Sequence, residues 1–378
     1  MANSQQTSWL QSFFLDLWYG KRWWVRIISW LLLPLSWLYQ LLAYANQRWQ
    51  KKKSTRIAVP VVVVGNISVG GTGKTPIIIA LANALTAKHI QVGIISRGYG
   101  SNAPHYPYLV TAADQAAECG DEPLLIAKAT LCPVMIDQNR VTAAQQLLAR
   151  YPEVQLILSD DGLQHHRLQR NVEIVVVDSE RGLGNHFCLP AGPLREPAKR
   201  LSAVDWILLN TPATNELTQE PVQAQEQSQE KVEIDRRLPI KVSLQPQAWR
   251  HIASQKKYPL TPYPWLDGEV NSTGANTKAL HAVAGIGHPQ RFFNTLTQLG
   301  IDNSQSSQHS FDDHHQFTVQ DFSSWTNDTV LMTEKDGVKC QALIGEAAMP
   351  DDCWALIVDI DLPDTLIEHV GSLVSSSN

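Results

Sequence analysis

The sequence has little cysteine and pairs none of it: Cys119, Cys132, Cys188, Cys340 and Cys353 stand singly along 378 residues, with no CxxC spacing. That excludes a disulfide framework and a zinc ribbon and predicts reduced thiols in a cytoplasmic body. Charge is also sparse, at 18% of residues against 44% hydrophobic, which excludes a disordered chain, and 21 glycines are too few for a collagen-like one. There is no internal repeat. No small-residue cleavage site follows the long apolar run, so a signal peptide is not expected. The length leaves room for about two globular domains.

What is present is unevenly placed. In residues 1–56, Lys21, Arg22, Arg26, Arg48, Lys51, Lys52, Lys53 and Arg56 face one acid, Asp16, a net +7 that leaves −12 for the rest of a chain of formal charge −5. The same segment holds seven of the twelve tryptophans. A basic, Trp-rich head on an acidic body predicts attraction to an anionic membrane surface rather than to nucleic acid. Within it, residues 27–45 carry no formal charge but are interrupted by Ser29, Pro34, Ser36 and Gln40. That is spanning length with only moderate hydropathy, and basic residues flank both ends. A helix crossing the bilayer, one lying in its interface and a buried core helix all stay open.

Beyond residue 56, β-branched runs at 61–64, 92–96, 156–159, 174–177 and 206–209, apolar on both faces, alternate with helical stretches at 77–85 and 143–149. The alternation predicts an α/β fold built on a doubly wound, mostly parallel sheet. Residues 212–231 shift to Gln and Glu and read as an exposed connection. Apolar structure resumes near Ile240, lapses around 267–277, and returns with strands at 281–286, 330–333 and 355–360 and a helix at about 289–299. The expected organisation is a membrane-associated helical segment (1–56), a P-loop core (57–211), a connecting region (212–280) and a smaller α/β domain closing over the site (281–378).

The strongest chemical signal follows the first core strand. There, Gly65-Asn66-Ile67-Ser68-Val69-Gly70-Gly71-Thr72-Gly73-Lys74-Thr75 leads into a helix, the context a P-loop requires, with Ser68 where the first Gly of GxxxxGK[ST] stands. Backbone N–H groups of Gly70, Gly71, Thr72 and Gly73 can wrap phosphate oxygens, Lys74 can reach the β- and γ-phosphates of ATP, and the Thr75 hydroxyl can bind Mg²⁺. A second strand ends in Asp160-Asp161, two adjacent carboxylates that favour a cation. His165 and His166 follow without the spaced partners a zinc site needs. In Gly120-Asp121-Glu122-Pro123, Asp121 is either a helix N-cap or a carboxylate that accepts a proton while Glu122 joins a metal shell. Arg97 and Tyr99, on Ser96-Arg97-Gly98-Tyr99-Gly100, suit an anionic or sugar-like acceptor.

With Leu189-Pro190-Ala191-Gly192-Pro193-Leu194-Arg195-Glu196, Phe311-Asp312-Asp313-His314-His315 and Thr333-Glu334-Lys335-Asp336 added in order, the chain resembles the tetraacyldisaccharide 4′-kinases, or lipid A 4′-kinases, of the Gram-negative envelope. The resemblance implies transfer of the γ-phosphate of ATP to the 4′-hydroxyl of a tetraacylated glucosamine disaccharide 1-phosphate, giving lipid IVA. It implies Lys74 on the phosphates, Thr75 on Mg²⁺, and Asp160, Asp161, Glu122 and Gln164 around the metal. Asp121 would be the base and His314, which directly follows Asp313, its partner. Arg97, Tyr99 and Arg195 would meet the disaccharide or its 1-phosphate. The implied setting is the cytoplasmic face of the inner membrane, with the lipid as partner and no obligate protein partner. Removing residues 1–50 is expected to solubilise the protein and leave activity on dispersed substrate intact. The rival reading is a membrane-associated P-loop ATPase switch without a lipid acceptor. Such switches place a second Lys where this chain has Val69, and a GTPase would need its guanine-reading Lys one place before Lys335.

Overall fold

The computed structural model describes residues 13–20, 22–212, 239–266, 278–301 and 304–375. The Gln/Glu-rich segment from residue 213 on and residues 267–277 lie outside it. In chain order the elements are α1 (Trp23–Leu31), α2 (Leu33–Lys52), β1 (Val61–Gly65), α3 (Lys74–Ala87), β2 (Val92–Ser96), β3 (Tyr108–Val110), α4 (Ala116–Cys119), α5 (Asp121–Ala129), β4 (Val134–Ile136), α6 (Arg140–Arg150), β5 (Leu156–Asp160), β6 (Val172–Asp178), β7 (Trp206–Thr211), β8 (Ile240–His251), β9 (Lys257–Tyr258), β10 (Leu280–Ala284), α7 (Pro289–Gln298), β11 (Ser307–Ser310), α8 (Val319–Phe322), β12 (Thr329–Thr333), α9 (Glu334–Cys340), β13 (Cys353–Ile360) and α10 (Asp364–Ser375).

The first lobe is a mostly parallel sheet in the order β3-β4-β2-β5-β1-β6-β7-β8. Alternate residues of one strand enter opposite cores, because side chains on a strand project with period two. Val62, Val64, Leu156 and Leu158 pack with Ile77, Leu81 and Leu85 of α3. Val61, Val63 and Ile157 pack with Ala143, Ala144 and Leu147 of α6 on the other face. Both faces are covered, which explains why these strands read as unbroken apolar runs.

The region between the lobes is more than a connection, for it contains β8, the longest strand. Its first residues continue the first sheet (Leu208↔Ile240 to Thr211↔Ser243), and the rest pairs antiparallel with β13 (Ile360↔Leu244 to Trp354↔His251). The second lobe, in the order β13-β12-β10-β11, therefore lies beyond the ends of the first-lobe strands and runs back toward them. The carboxyl ends of both sets of strands face one cleft, the place where α/β sheets bind ligands. The chain then returns: Leu366, Ile367 and Val370 of α10 pack into the first-lobe core with Leu81 and Leu85.

At the other end, α1 and α2 form an arm bent by 51°, and among the described residues no single helix is long and apolar enough to cross a membrane. One face of the arm packs on the first lobe through Val25, Ser29 and Ser36. Its other face exposes Trp23 (73%), Trp30 (66%), Trp37 (63%), Leu38, Leu41 and Leu42.

Candidate active site

The loop after β1 turns on two glycines with positive φ, Gly70 (108°) and Gly73 (82°). At Gly73 the amide of Asn210, at the end of β7, lies 2.3 Å from where a Cβ would stand and donates to the Thr72 carbonyl at 3.0 Å. Left-handed backbone and absent space coincide, so only glycine fits. Gly73→Ala is expected to lower kcat/KM for ATP by about 10- to 100-fold, the range of one strained residue, as initial-rate kinetics would report. Lys74 begins α3, and its Nζ meets Asn66 Oδ1 at 3.2 Å and Asp161 Oδ1 at 3.4 Å. Thr75 is buried in the first helical turn.

Asp160 ends β5 beside β1 and is 1% exposed. Ser96 Oγ donates to its Oδ2 at 2.9 Å, while Oδ1 is buried without a hydrogen-bond partner. Burial, then the charges of Glu122 and Asp161, push its carboxyl up to about 7. An orphaned buried carboxylate oxygen beside two further acids is a place for a cation. Asp161 differs. Burial would raise it, but Lys74 and Arg195, the latter at 3.4 Å, outweigh that and hold it below the usual carboxylate range.

The second lobe supplies the other wall. Asp121 is the first residue of α5, and the N-cap is Gly120, so capping does not account for Asp121. Its Oδ2 lies 3.1 Å from His314 Nδ1 and 3.6 Å from Lys335 Nζ. Burial would raise the Asp121 carboxyl, but the His314 hydrogen bond and the Lys335 charge more than offset it and hold the group ionised. The same hydrogen bond raises the His314 imidazole against the opposing pull of burial. His314 sits at φ 61°, and the ring of the exposed Tyr99 lies 5.1 Å from its own. Lys335 is the shared cation, reaching Glu122 Oε1 at 3.0 Å and Asp313 Oδ1 at 3.4 Å. The second histidine turns away: His315 Nε2 meets Asp321 at 3.2 Å.

Several expected residues have other partners here. Glu122 is held by Lys335, and Gln164 donates to the Asn66 carbonyl (3.1 Å) and Glu196 (2.8 Å). Arg97 is exposed, and Arg195 faces Asp161. Burial and nearby arginines lower His165 to about 4 and His166 to about 3.

Sequence reasoning missed the closing contacts. Arg291 of α7 bonds Asp178 Oδ1 (3.1 Å), Glu180 Oε2 (2.8 Å) and the Asn210 carbonyl (2.9 Å), while Arg181 reaches back to the Gly287 carbonyl at 2.7 Å. Asp178, Glu180 and His288 cluster closely enough for a metal, but Arg291 already balances both carboxylates. Asp178 had a signal, since it ends an apolar strand as Asp160 does. Arg291 had none. The cleft between these walls measures about 820 Å³ and runs from Gly71–Thr75 to Arg250, Arg291 and Lys335.

A profile of the family described as tetraacyldisaccharide-1-P 4′-kinase matches residues 28–375. The chain belongs to this family. A tetraacyldisaccharide 4′-kinase of Legionella pneumophila (strain Corby) is 38% identical over 364 residues, covering 96% of this chain and 97% of that one. Another, of Ectopseudomonas mendocina (strain ymp), is 43% identical over 332 residues, covering 87% and 88%. A solved structure of LpxK from Aquifex aeolicus in complex with ATP superposes with a TM-score of 0.66 at 26% identity, covering 93% of this chain and 99% of that one. The tetraacyldisaccharide 4′-kinase relatives thus span the arm, both lobes and the cleft.

Proposed function

We infer that this chain is an ATP-dependent kinase that phosphorylates the 4′-hydroxyl of a tetraacylated disaccharide 1-phosphate, a step of lipid A biosynthesis. The observation that carries the mechanism is the His314–Asp121 pair, joined at 3.1 Å across the two lobes, next to Glu122, Asp313 and Lys335 of the cleft wall and beside the exposed Tyr99. An ionised carboxylate only accepts hydrogen bonds, so Nδ1 of His314 carries the proton of that contact and Nε2 keeps a lone pair. His314, rather than Asp121, is the proton acceptor for the 4′-hydroxyl. Asp121 orients the ring and raises its proton affinity.

Lys74 and the turn at Gly70–Gly73 position the phosphates of ATP. Mg²⁺ would be held by Thr75 and the orphaned oxygen of Asp160, with Asp161, Glu122 and Gln164 as the further candidates. When bound it would offset the charge of the transferring phosphoryl group. Arg97 and Tyr99, both exposed, would meet the acceptor, whereas Arg195 is engaged by Asp161 beside Lys74. An ATPase switch without a lipid acceptor is not favoured, because relatives matched over nearly their full length are kinases. Radiolabelled ATP with detergent-dispersed tetraacyldisaccharide 1-phosphate tests the reading. Label on the lipid is expected with Mg²⁺ and not with chelator, and an unlabelled lipid under both conditions overturns it.

The exposed face of α1 and α2 lies on the cytoplasmic surface of the inner membrane in this proposal. Its tryptophans sit at head-group depth, and Arg22, Arg26 and Lys51–Lys53 meet anionic lipids. A Trp30→Ser, Trp37→Ser, Leu41→Ser variant is expected to lose most of its co-sedimentation with vesicles containing anionic phospholipid. Sedimentation equal to wild type would refute the dock.

A further inference from the structure

The two serines that interrupt the apolar run at 27–45 face the body of the protein. Ser29 is 2% and Ser36 is 1% exposed. Ser36 Oγ donates to the Cys188 carbonyl at 2.8 Å and accepts from the Ala191 amide at 3.1 Å. One turn on, the Tyr39 hydroxyl donates to the Arg195 carbonyl at 3.1 Å. Both side chains thus seize the same strap, residues 188–195, which has no helix or strand and is otherwise held by its own turn hydrogen bonds and by Trp18 and Asn185. Its close fit is visible at Gly192, where a Cβ would stand 2.2 Å from Asn185 Oδ1 and 2.3 Å from the Phe187 carbonyl.

The far side of the strap is bonded to the nucleotide site. The Val69 amide donates to the Pro193 carbonyl at 2.8 Å, and the Arg195 amide donates to the Ile67 carbonyl at 2.6 Å. The Arg195 side chain meets Asp161 at 3.4 Å, and Asp161 meets Lys74 at 3.4 Å. An unbroken series of polar contacts therefore runs from the arm, through the strap, to the entry of the P-loop and its lysine.

We propose that the inner face of the arm is a positioning element of the ATP site, with Ser36 and Tyr39 as its positioning residues. They fix the strap, and the strap sets where residues 67–69 and the Arg195–Asp161–Lys74 chain stand. Neither residue lines the cleft. Catalytic geometry tolerates little displacement, so loosening the strap weakens nucleotide binding without altering a group that contacts nucleotide. The arm then has two duties on opposite faces, and the inner one does not depend on whether the outer one lies on a membrane. The expectation that residues 1–50 can be removed without loss of activity is replaced by the opposite one.

The test uses full-length Ser36→Ala, Tyr39→Phe and the double variant. The readouts are affinity for a fluorescent ATP analogue without lipid, KM for ATP and KM for dispersed lipid acceptor. Each single variant is expected to weaken nucleotide affinity about fivefold, the effect of losing one buried hydrogen bond of ordinary strength. KM for the lipid and vesicle sedimentation should stay at wild type, and Ser36→Thr, which keeps the hydroxyl, should restore affinity. Wild-type nucleotide affinity in a folded double variant, or a change confined to the lipid KM, overturns the proposal. If the double variant does not fold, Tyr39→Phe, which loses only a partly buried hydroxyl, decides alone. Nucleotide binding is read without acceptor, so an error in the acceptor assignment would leave this outcome intact.

Discussion

His314→Ala is expected to lower kcat by about 10²- to 10⁴-fold, the usual contribution of a positioned proton acceptor, while KM for ATP changes little. The P-loop, Lys74 and Asp160 do not depend on the imidazole, so ground-state binding of nucleotide should survive. The pH dependence separates the two members of the pair. His314 must be neutral to act, and its proton affinity is raised by the Asp121 hydrogen bond, so kcat should rise as pH passes upward through that raised value. Asp121→Asn removes the carboxylate charge, and the rising limb should move to lower pH together with a fall in kcat. A limb that stays in place in Asp121→Asn would show that the carboxylate does not set the imidazole. Near wild-type turnover in His314→Ala would remove it from the mechanism.

Asp160→Asn should separate stability from activity in opposite directions. Folding raises this carboxyl from 3.8 to about 7, which means that the metal-free fold prefers it protonated. Its contribution to stability is complete below pH 4 and is lost as pH rises toward 7, because the unfolded chain then holds the charge more cheaply than the buried site does. Asparagine keeps the shape, accepts from Ser96 and carries no charge. In chelator above pH 7.5 the variant should be more stable than wild type by on the order of 2–4 kcal/mol. Its kinase activity should fall at least about 10³-fold, in line with the weight of preorganised electrostatics in phosphoryl transfer. Added Mg²⁺ should raise the unfolding temperature of the wild type and leave that of the variant nearly unchanged. Equal stabilities in chelator at pH 8 would mean that Asp160 is not strained by its burial.

The parts legible in the sequence were those whose signal is local. Strands β1, β2, β5, β6 and β7 carry apolar residues on both faces, and the P-loop and Asp160 lie in sequence where those strands end. The edge strand Ser307–Ser310 is polar and mostly exposed, so it has no pattern to read. In β8, Pro246 lies mid-strand. It sits where the pairing with β13 shifts register between Ile357 and Val358, one of the places a strand accommodates proline. Glu122 is held by Lys335, 213 positions away. No spacing rule reaches that far. Residue types also do not say that Lys335 stands beside Asp121, at 3.6 Å, next to the His314 contact at 3.1 Å.

The antiparallel crossing of β8 and β13 has a mechanical consequence. These two strands carry the chain between the lobes side by side, and the register shift in their pairing leaves Gln247 opposite no partner. Leu244, Gln247 and residues 357–359 of the same crossing also form the floor of the cleft. Whatever fills that floor therefore rests on the two strands that join the lobes, and any shift it forces in them is carried to both.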